Sequence, residues 1–252
     1  FGSIIHTTLE VLFTPFAQRD KLGNFIQPAP PPLRDKDVVK MLATYKDHIY
    51  QGFLAHFDHD ETLFKTGKNR LSYEMAIEIT KNVLEKELLY VQSLTEPLYI
   101  EQIEAEMSAE MTVPYQGGVR TVKFKGFIDR IDRIGTRYRV IDYKTGKVKK
   151  EDVEFKLNDK GYIHSFTQCK HAFQLALYCL FFQEKYGVLP DEAKIRSLIN
   201  IHEQFNLTQK QGELSDVIPK INDLLTEILD QLFDSSVPFE HSAEAKYCQY
   251  CS

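Results

Sequence analysis

The spacing of apolar residues changes along the chain. Residues 1–13 carry apolar side chains at positions compatible with a helix. The run Pro28-Ala29-Pro30-Pro31-Pro32 then breaks the chain and favours an extended connection, because proline fixes φ and offers no N–H. Residues 35–57 and 70–94 predict two amphipathic helices. In the second, Leu71, Met75, Ile79, Val83, Leu84 and Leu88 recur at helical spacing. Near Tyr99 the period shifts. Ile100, Ile103, Ala105 and Met107 partly alternate with Glu101, Gln102, Glu104 and Glu106, which predicts a strand. Gly117-Gly118 predicts a turn, and residues 120–134 and 137–144 predict two strands rich in β-branched and aromatic residues. A helix from about Thr167 to Tyr186, closed by Gly187, precedes a strand over 194–201 and a helix over 215–233. Strands mixed with covering helices indicate an α/β layered fold.

Composition narrows the class. A chain of 252 residues, 43% hydrophobic and 27% charged, predicts a soluble globule forming one large domain or a domain with a sizeable insertion. No apolar run approaches the ~18–20 residues that a membrane span needs. The first residues, Phe1 to His6, do not resemble a signal peptide. They already look like the inside of an element, and the chain stops just after a cysteine pair. The expectation is therefore a fragment of a longer protein. Four cysteines form no disulfide framework at this length, which favours a reduced, cytoplasmic protein.

The net charge of −5 argues against an acidic partner, but the average hides a reversal. Between Gly117 and Lys150, eleven basic residues face only Asp129, Asp132 and Asp142. Phosphate-binding faces look like this, and so do solvated strand surfaces.

The chemistry concentrates in Gly126-Phe127-Ile128-Asp129-Arg130-Ile131-Asp132 and Val140-Ile141-Asp142-Tyr143-Lys144-Thr145-Gly146. Gly135-Thr136 between them suits a two-residue type II′ hairpin turn. That turn pairs Ile134 with Arg137, sets Asp129 opposite Asp142 and puts Lys144 on the face of Asp142. Two opposed carboxylates repel, unless one is protonated or a divalent cation lies between them. The same register puts Asp132 opposite Arg139 on the other face, as half of a cross-strand ion pair. A lone D-x-K would more often be a surface feature; the paired Asp129 weighs against that.

These two segments resemble the central motif of RecB/AddB-type nucleases in the PD-(D/E)XK superfamily. The resemblance spans residues 2 to 178. Gly2-Ser3-Ile4-Ile5-His6-Thr7-Thr8-Leu9-Glu10 resembles the family's histidine helix, and Gln174-Leu175-Ala176-Leu177-Tyr178 its Q-x-x-x-Y helix. The resemblance implies one nuclease domain over 1–252. It would have a central mixed β-sheet, helices on both sides, and an N-terminal helical insertion at about 33–95 lying over one edge of the site. It also implies His6, Asp129, Asp142 and the Tyr143 carbonyl as ligands of Mg²⁺ or Mn²⁺, Lys144 as the electrostatic partner, and Gln174 and Tyr178 facing substrate. The basic residues of 120–150 would contact DNA phosphates, and a helicase would be the partner in processing DNA ends for recombination and repair. Cys248 and Cys251 resemble the start of a C-terminal iron–sulfur motif, incomplete here, while Cys169 and Cys179 look like packing residues. The rival is a nuclease-like module that binds DNA or a partner without cutting. The residues leave open strand preference, exo- versus endonuclease mode, and the choice between Mg²⁺ and Mn²⁺.

Overall fold

The computed structural model describes residues 1–115, 118–154, 170–200, 204–207, 214–236 and 238. Three helices come first: α1 over Gly2–Phe13, α2 over Asp35–His56 and α3 over Gly67–Ser93. In α2, Val38, Met41, Tyr45, Ile49 and Phe53 recur every three or four positions and are buried, so one stripe faces the core. Asp37 Oδ2 accepts the Arg34 N–H at 3.2 Å where α2 begins. The buried face of α3 is Ala76, Ile79, Thr80, Val83, Leu84 and Glu87. Leu71 and Met75, expected on that face, are exposed. Met75 lies about 100° round the helix from Ala76, which turns it to solvent. Tyr73 takes the inward place instead, edge-on to Phe53 with ring centroids 5.2 Å apart.

Among the described residues five strands form one sheet in the order β1-β2-β3-β4-β5: Leu98–Tyr115, Gly118–Ile134, Arg137–Lys144, Glu192–Ser197 and Gln204–Asn206. Among the described residues only β3 and β4 run parallel, so the sheet is mixed, as expected. The connection between them carries α4, Lys170–Tyr186. Helix α5 spans Leu214–Phe233.

β1 and β2 form a hairpin much longer than the alternation near Tyr99 indicated. The period is broken by a register shift between Ile100 and Gln102 and by a positive φ of 49° at Glu104. β4 ends sooner than expected, because the Ser197 hydroxyl accepts the Asn200 N–H at 3.0 Å in a turn. β5 has three residues, too few to show a period.

The sheet is covered on both faces. Helices α1–α3 share a core with Leu98, Ile100, Ile103, Ile134, Ile141 and Tyr143. Helices α4 and α5 share another with Ala105, Met107, Ile128, Ile131, Val140, Ala193 and Ile195. Cys179 is fully buried in the second core, in keeping with a packing role, while Cys169, Cys248 and Cys251 lie outside the described residues. No helix among the described residues is long and apolar enough to cross a membrane.

Candidate metal centre

The β2–β3 hairpin has the register its turn predicts, from Ile134↔Arg137 to Arg130↔Ile141. Gly135 has φ 59° and Thr136 has no positive φ, which fits type II′ and excludes type I′. The next pair, Asp129 opposite Asp142, does not form. The ladder stops at Arg130↔Ile141, while β3 continues beside β4 with Asp142↔Ile195 and Lys144↔Ser197. Asp129 Oδ2 instead accepts the backbone N–H of Tyr143 at 2.6 Å. Two like charges resist direct opposition, so the strands part there and a side chain replaces a ladder bond.

Helix α1 delivers His6 to this opening. A Cβ at Gly2 would lie 2.6 Å from Thr145 Oγ1, so glycine lets the start of α1 sit close against the residue after Lys144. His6 Nδ1 is then 3.7 Å from Asp129 Oδ2. Glu104 arrives from β1. Its neighbours pair across the hairpin as Ile103↔Arg130 and Ala105↔Ile128, and the intervening Glu104 has left-handed backbone. Ligand-type atoms of His6, Glu104 and Asp129 all lie within 4.8 Å of one another.

Asp142, 2% exposed, sits in the central strand beside this cluster. Lys144 Nζ is 3.1 Å from Asp142 Oδ1 and 2.8 Å from Oδ2. The second approach is an ion-pair contact without hydrogen-bond geometry, so the buried Oδ2 accepts no hydrogen bond. Tyr143 brings its backbone to the site and its ring edge-on to His6, with centroids 6.2 Å apart, while its phenol oxygen accepts from Arg130 Nη1 at 3.3 Å. Carboxylates, an imidazole and a buried oxygen with spare lone pairs are the donor set that Mg²⁺ or Mn²⁺ takes, so these residues fit such an ion.

The comparisons with known proteins bear on this geometry. The sequence matches the model of the PD-(D/E)XK nuclease superfamily over residues 1–252. The chain belongs to that superfamily. No curated protein matches it. A solved structure titled "Crystal structure of SSO0001" is 15% identical, covering 99% of this chain and 93% of that one, at a TM-score of 0.29.

The electrostatics of this superfamily member place strain at the same residues. Burial, and then the charge of Asp142, push the Asp129 carboxyl up to about 7, against the opposing pull of the Tyr143 N–H and Lys144. Burial and Asp129 raise the Glu104 carboxyl. Burial lowers the His6 imidazole and favours its neutral, ligating form, although Asp142 and Glu104 pull the other way.

Gln174 and Tyr178 lie on one face of α4, with Gln174 Nε2 donating to the Tyr178 hydroxyl at 2.7 Å. Tyr178 is buried, and burial, then the Asp142 charge, raise its phenol. The same helix brings His171, three residues before Gln174. Burial, then the Lys144 charge, lower its imidazole.

Several contributors were not apparent from sequence. Glu104 looked like one more outward glutamate of an alternating strand. A turn centred on Gly117-Gly118 would have set it opposite Ile131, so the sequence carried no signal for its place beside Asp129. His171 had a signal in its i, i+3, i+7 spacing with Gln174 and Tyr178. Of a buried ion network on the other face, the register signalled only the Asp132–Arg139 pair. Arg130, fully buried, donates to Asp132 Oδ1 at 2.6 Å and to Glu87 Oε1 at 2.6 Å. Arg196 donates to Glu87 Oε2 at 2.5 Å, and Arg139 to Asp132 Oδ2 at 2.6 Å and to the Tyr90 hydroxyl. The ion pair expected between Asp132 and Arg139 exists, inside a larger buried cluster.

That cluster also narrows the basic stretch. Arg130 and Arg139 are committed to carboxylates in the core, Arg133 to Glu101, Lys125 to Glu106 and Lys144 to Asp142. Arg120 packs over the rings of Tyr115 and Phe233. The expectation that the whole run meets phosphate therefore reduces to fewer side chains.

Proposed function

We propose that this domain hydrolyses DNA phosphodiester bonds with Mg²⁺ or Mn²⁺ held by His6, Glu104, Asp129, Asp142 and the Tyr143 carbonyl. The observation that carries this is the geometry: ligand atoms of His6, Glu104 and Asp129 lie within 4.8 Å of one another, and the buried Asp142 carboxylate, paired with Lys144, lies beside them. A carboxylate cluster this costly in isolation is stabilised by a cation. Such an ion, when bound, polarises a phosphoryl oxygen and lowers the pKa of its water. Lys144 supplies positive charge toward negative charge developing on the phosphoryl group. Asp129 holds its orientation through the Tyr143 N–H, and Gln174 and Tyr178 position substrate from α4. By family resemblance, the domain serves with a helicase in processing DNA ends, and Cys248 and Cys251 resemble the start of an iron–sulfur motif.

The test is cleavage of linear single- and double-stranded DNA with Mg²⁺ or Mn²⁺, beside EDTA and Asp142→Ala controls. Metal-dependent degradation that the variant lacks is the expected result. Activity persisting in Asp142→Ala would remove that residue from the site. Failure of the wild-type protein both to bind metal and to cut would favour a nuclease-like binding module.

A further inference from the structure

Three lysines remain in the basic stretch just beyond the catalytic strand, and they are gathered in one place. A groove of about 580 Å³ is lined by Lys147, Lys149, Lys150, Val148, Ser197, Ile199, Asn200 and Phe205. Its size falls in the ~300–1,000 Å³ range of ligand sites. The three lysines are exposed, and among the described residues none of their ammonium groups is held in an ion pair. No carboxylate lines the groove among the described residues. Unlike Arg130, Arg133, Arg139 and Lys125, these side chains have their charge to spare.

The groove continues the candidate metal centre. Ser197 is the ladder partner of Lys144, and the Leu198 N–H donates to the Lys144 carbonyl at 2.9 Å. The groove therefore opens at the carboxyl ends of parallel strands β3 and β4, where open α/β sheets bind ligands. Its wall is not purely polar. Ile199 is 51% exposed, and Phe205 is half-buried against the core of α4 and α5. Lysines suit phosphates. An exposed aliphatic residue and an aromatic ring suit base faces, which a duplex keeps stacked inside.

We infer that this groove binds a segment of single-stranded DNA adjoining the scissile phosphate, with Lys147, Lys149 and Lys150 on the backbone and Ile199 and Phe205 against unpaired bases. The inference rests on the nuclease assignment for its substrate, but binding can be read without cleavage.

The experiment measures binding of a fluorescent oligothymidylate of about 12 nucleotides to the full chain in EDTA, over a range of salt. The variants are Lys147→Gln/Lys149→Gln/Lys150→Gln and, as a charge-matched control on α2, Lys36→Gln/Lys40→Gln/Lys46→Gln. All six positions are exposed, so folding should survive. The groove variant should bind more weakly, with a log–log salt slope flatter by about 2, from roughly 0.7 per lost phosphate contact on a single strand. The α2 control should match wild type. Hydrolysis of bis(p-nitrophenyl) phosphate, too small to reach the groove, should be unchanged in the groove variant and lost in Asp142→Ala. Equal slopes for groove variant and control would overturn the inference, as would a wild-type chain that does not bind the oligonucleotide. An equal loss with a blunt duplex would overturn the single-strand assignment, and tighter binding of the matching RNA through the same lysines would overturn DNA as the occupant. Loss of ester hydrolysis in the wild type, with the slope change intact, would sink the catalytic assignment alone.

Discussion

Asp129 on β2 accepts the backbone N–H of Tyr143 on β3 at 2.6 Å, at the point where the ladder between those strands ends. One carboxylate thus closes the hairpin and opens the site. Its carboxyl is nonetheless raised to about 7, first by burial and then by Asp142. For an acid raised in the folded state, the protonated form is favoured by folding. That stability is present below the ordinary carboxylate range and is lost as pH climbs through about 7. Asp129→Asn keeps an oxygen acceptor for Tyr143 and removes the charge. In EDTA at pH 8 it should be more stable than wild type by about 1–3 kcal/mol, with little difference at pH 4. Thermal melts at both pH values check this. A variant less stable at pH 8 would show that the carboxylate is not strained.

Glu104 shares its cluster with His6 and Asp129. Glu104→Gln should weaken Mg²⁺ or Mn²⁺ binding by roughly tenfold or more, about 1.4 kcal/mol, because a charged oxygen donor is exchanged for a neutral one. Isothermal titration calorimetry is the measurement, and unchanged affinity would leave Glu104 outside the ligand set. Raised Asp129 and Glu104 carboxyls also predict that wild-type affinity increases with pH through about 7, since binding must displace their protons.

Glu87 ties α3 to the sheet through Arg130 and Arg196. Burial alone would raise its carboxyl, but the two guanidiniums outweigh burial and hold it well below the usual range. Glu87→Ala leaves Arg196 without its buried counter-charge and Arg130 with Asp132 alone, and should cost roughly 3–5 kcal/mol, read from urea denaturation. A loss under 1 kcal/mol would mean that the network is solvated. The connection makes α3 a brace for the strands carrying Asp129 and Asp142.

The Tyr178 hydroxyl accepts from Gln174 at 2.7 Å. Tyr178→Phe leaves that amide without its acceptor and should lower kcat/KM on DNA roughly five- to thirtyfold, about 1–2 kcal/mol. Metal affinity should not change. If affinity fell by as much as activity, Tyr178 would belong to the metal centre instead of the substrate side.

Local chemistry made much of this legible. A glycine at the head of a two-residue turn sets register, and register placed Asp129, Asp142 and Lys144 on one face and Asp132 beside Arg139. Helical spacing placed Gln174 with Tyr178. Leu71 and Met75 show the limit of the same method. An apolar side chain at a helical interval is buried only if another element lies against that side of the helix.

What the sequence determined by itself was the five helices, four of the five strands and the register of the β2–β3 hairpin, because these follow from turn geometry and side-chain period within a few residues. The tertiary structure decided how they meet. It parted β2 from β3 at the two aspartates, turned Glu104 inward with left-handed backbone, buried Arg130 and Arg139 against Glu87 and Asp132, and left Lys147, Lys149 and Lys150 at the groove. Those outcomes depend on contacts between residues far apart in the chain, where burial and charge are settled by what packs opposite and no local pattern records it.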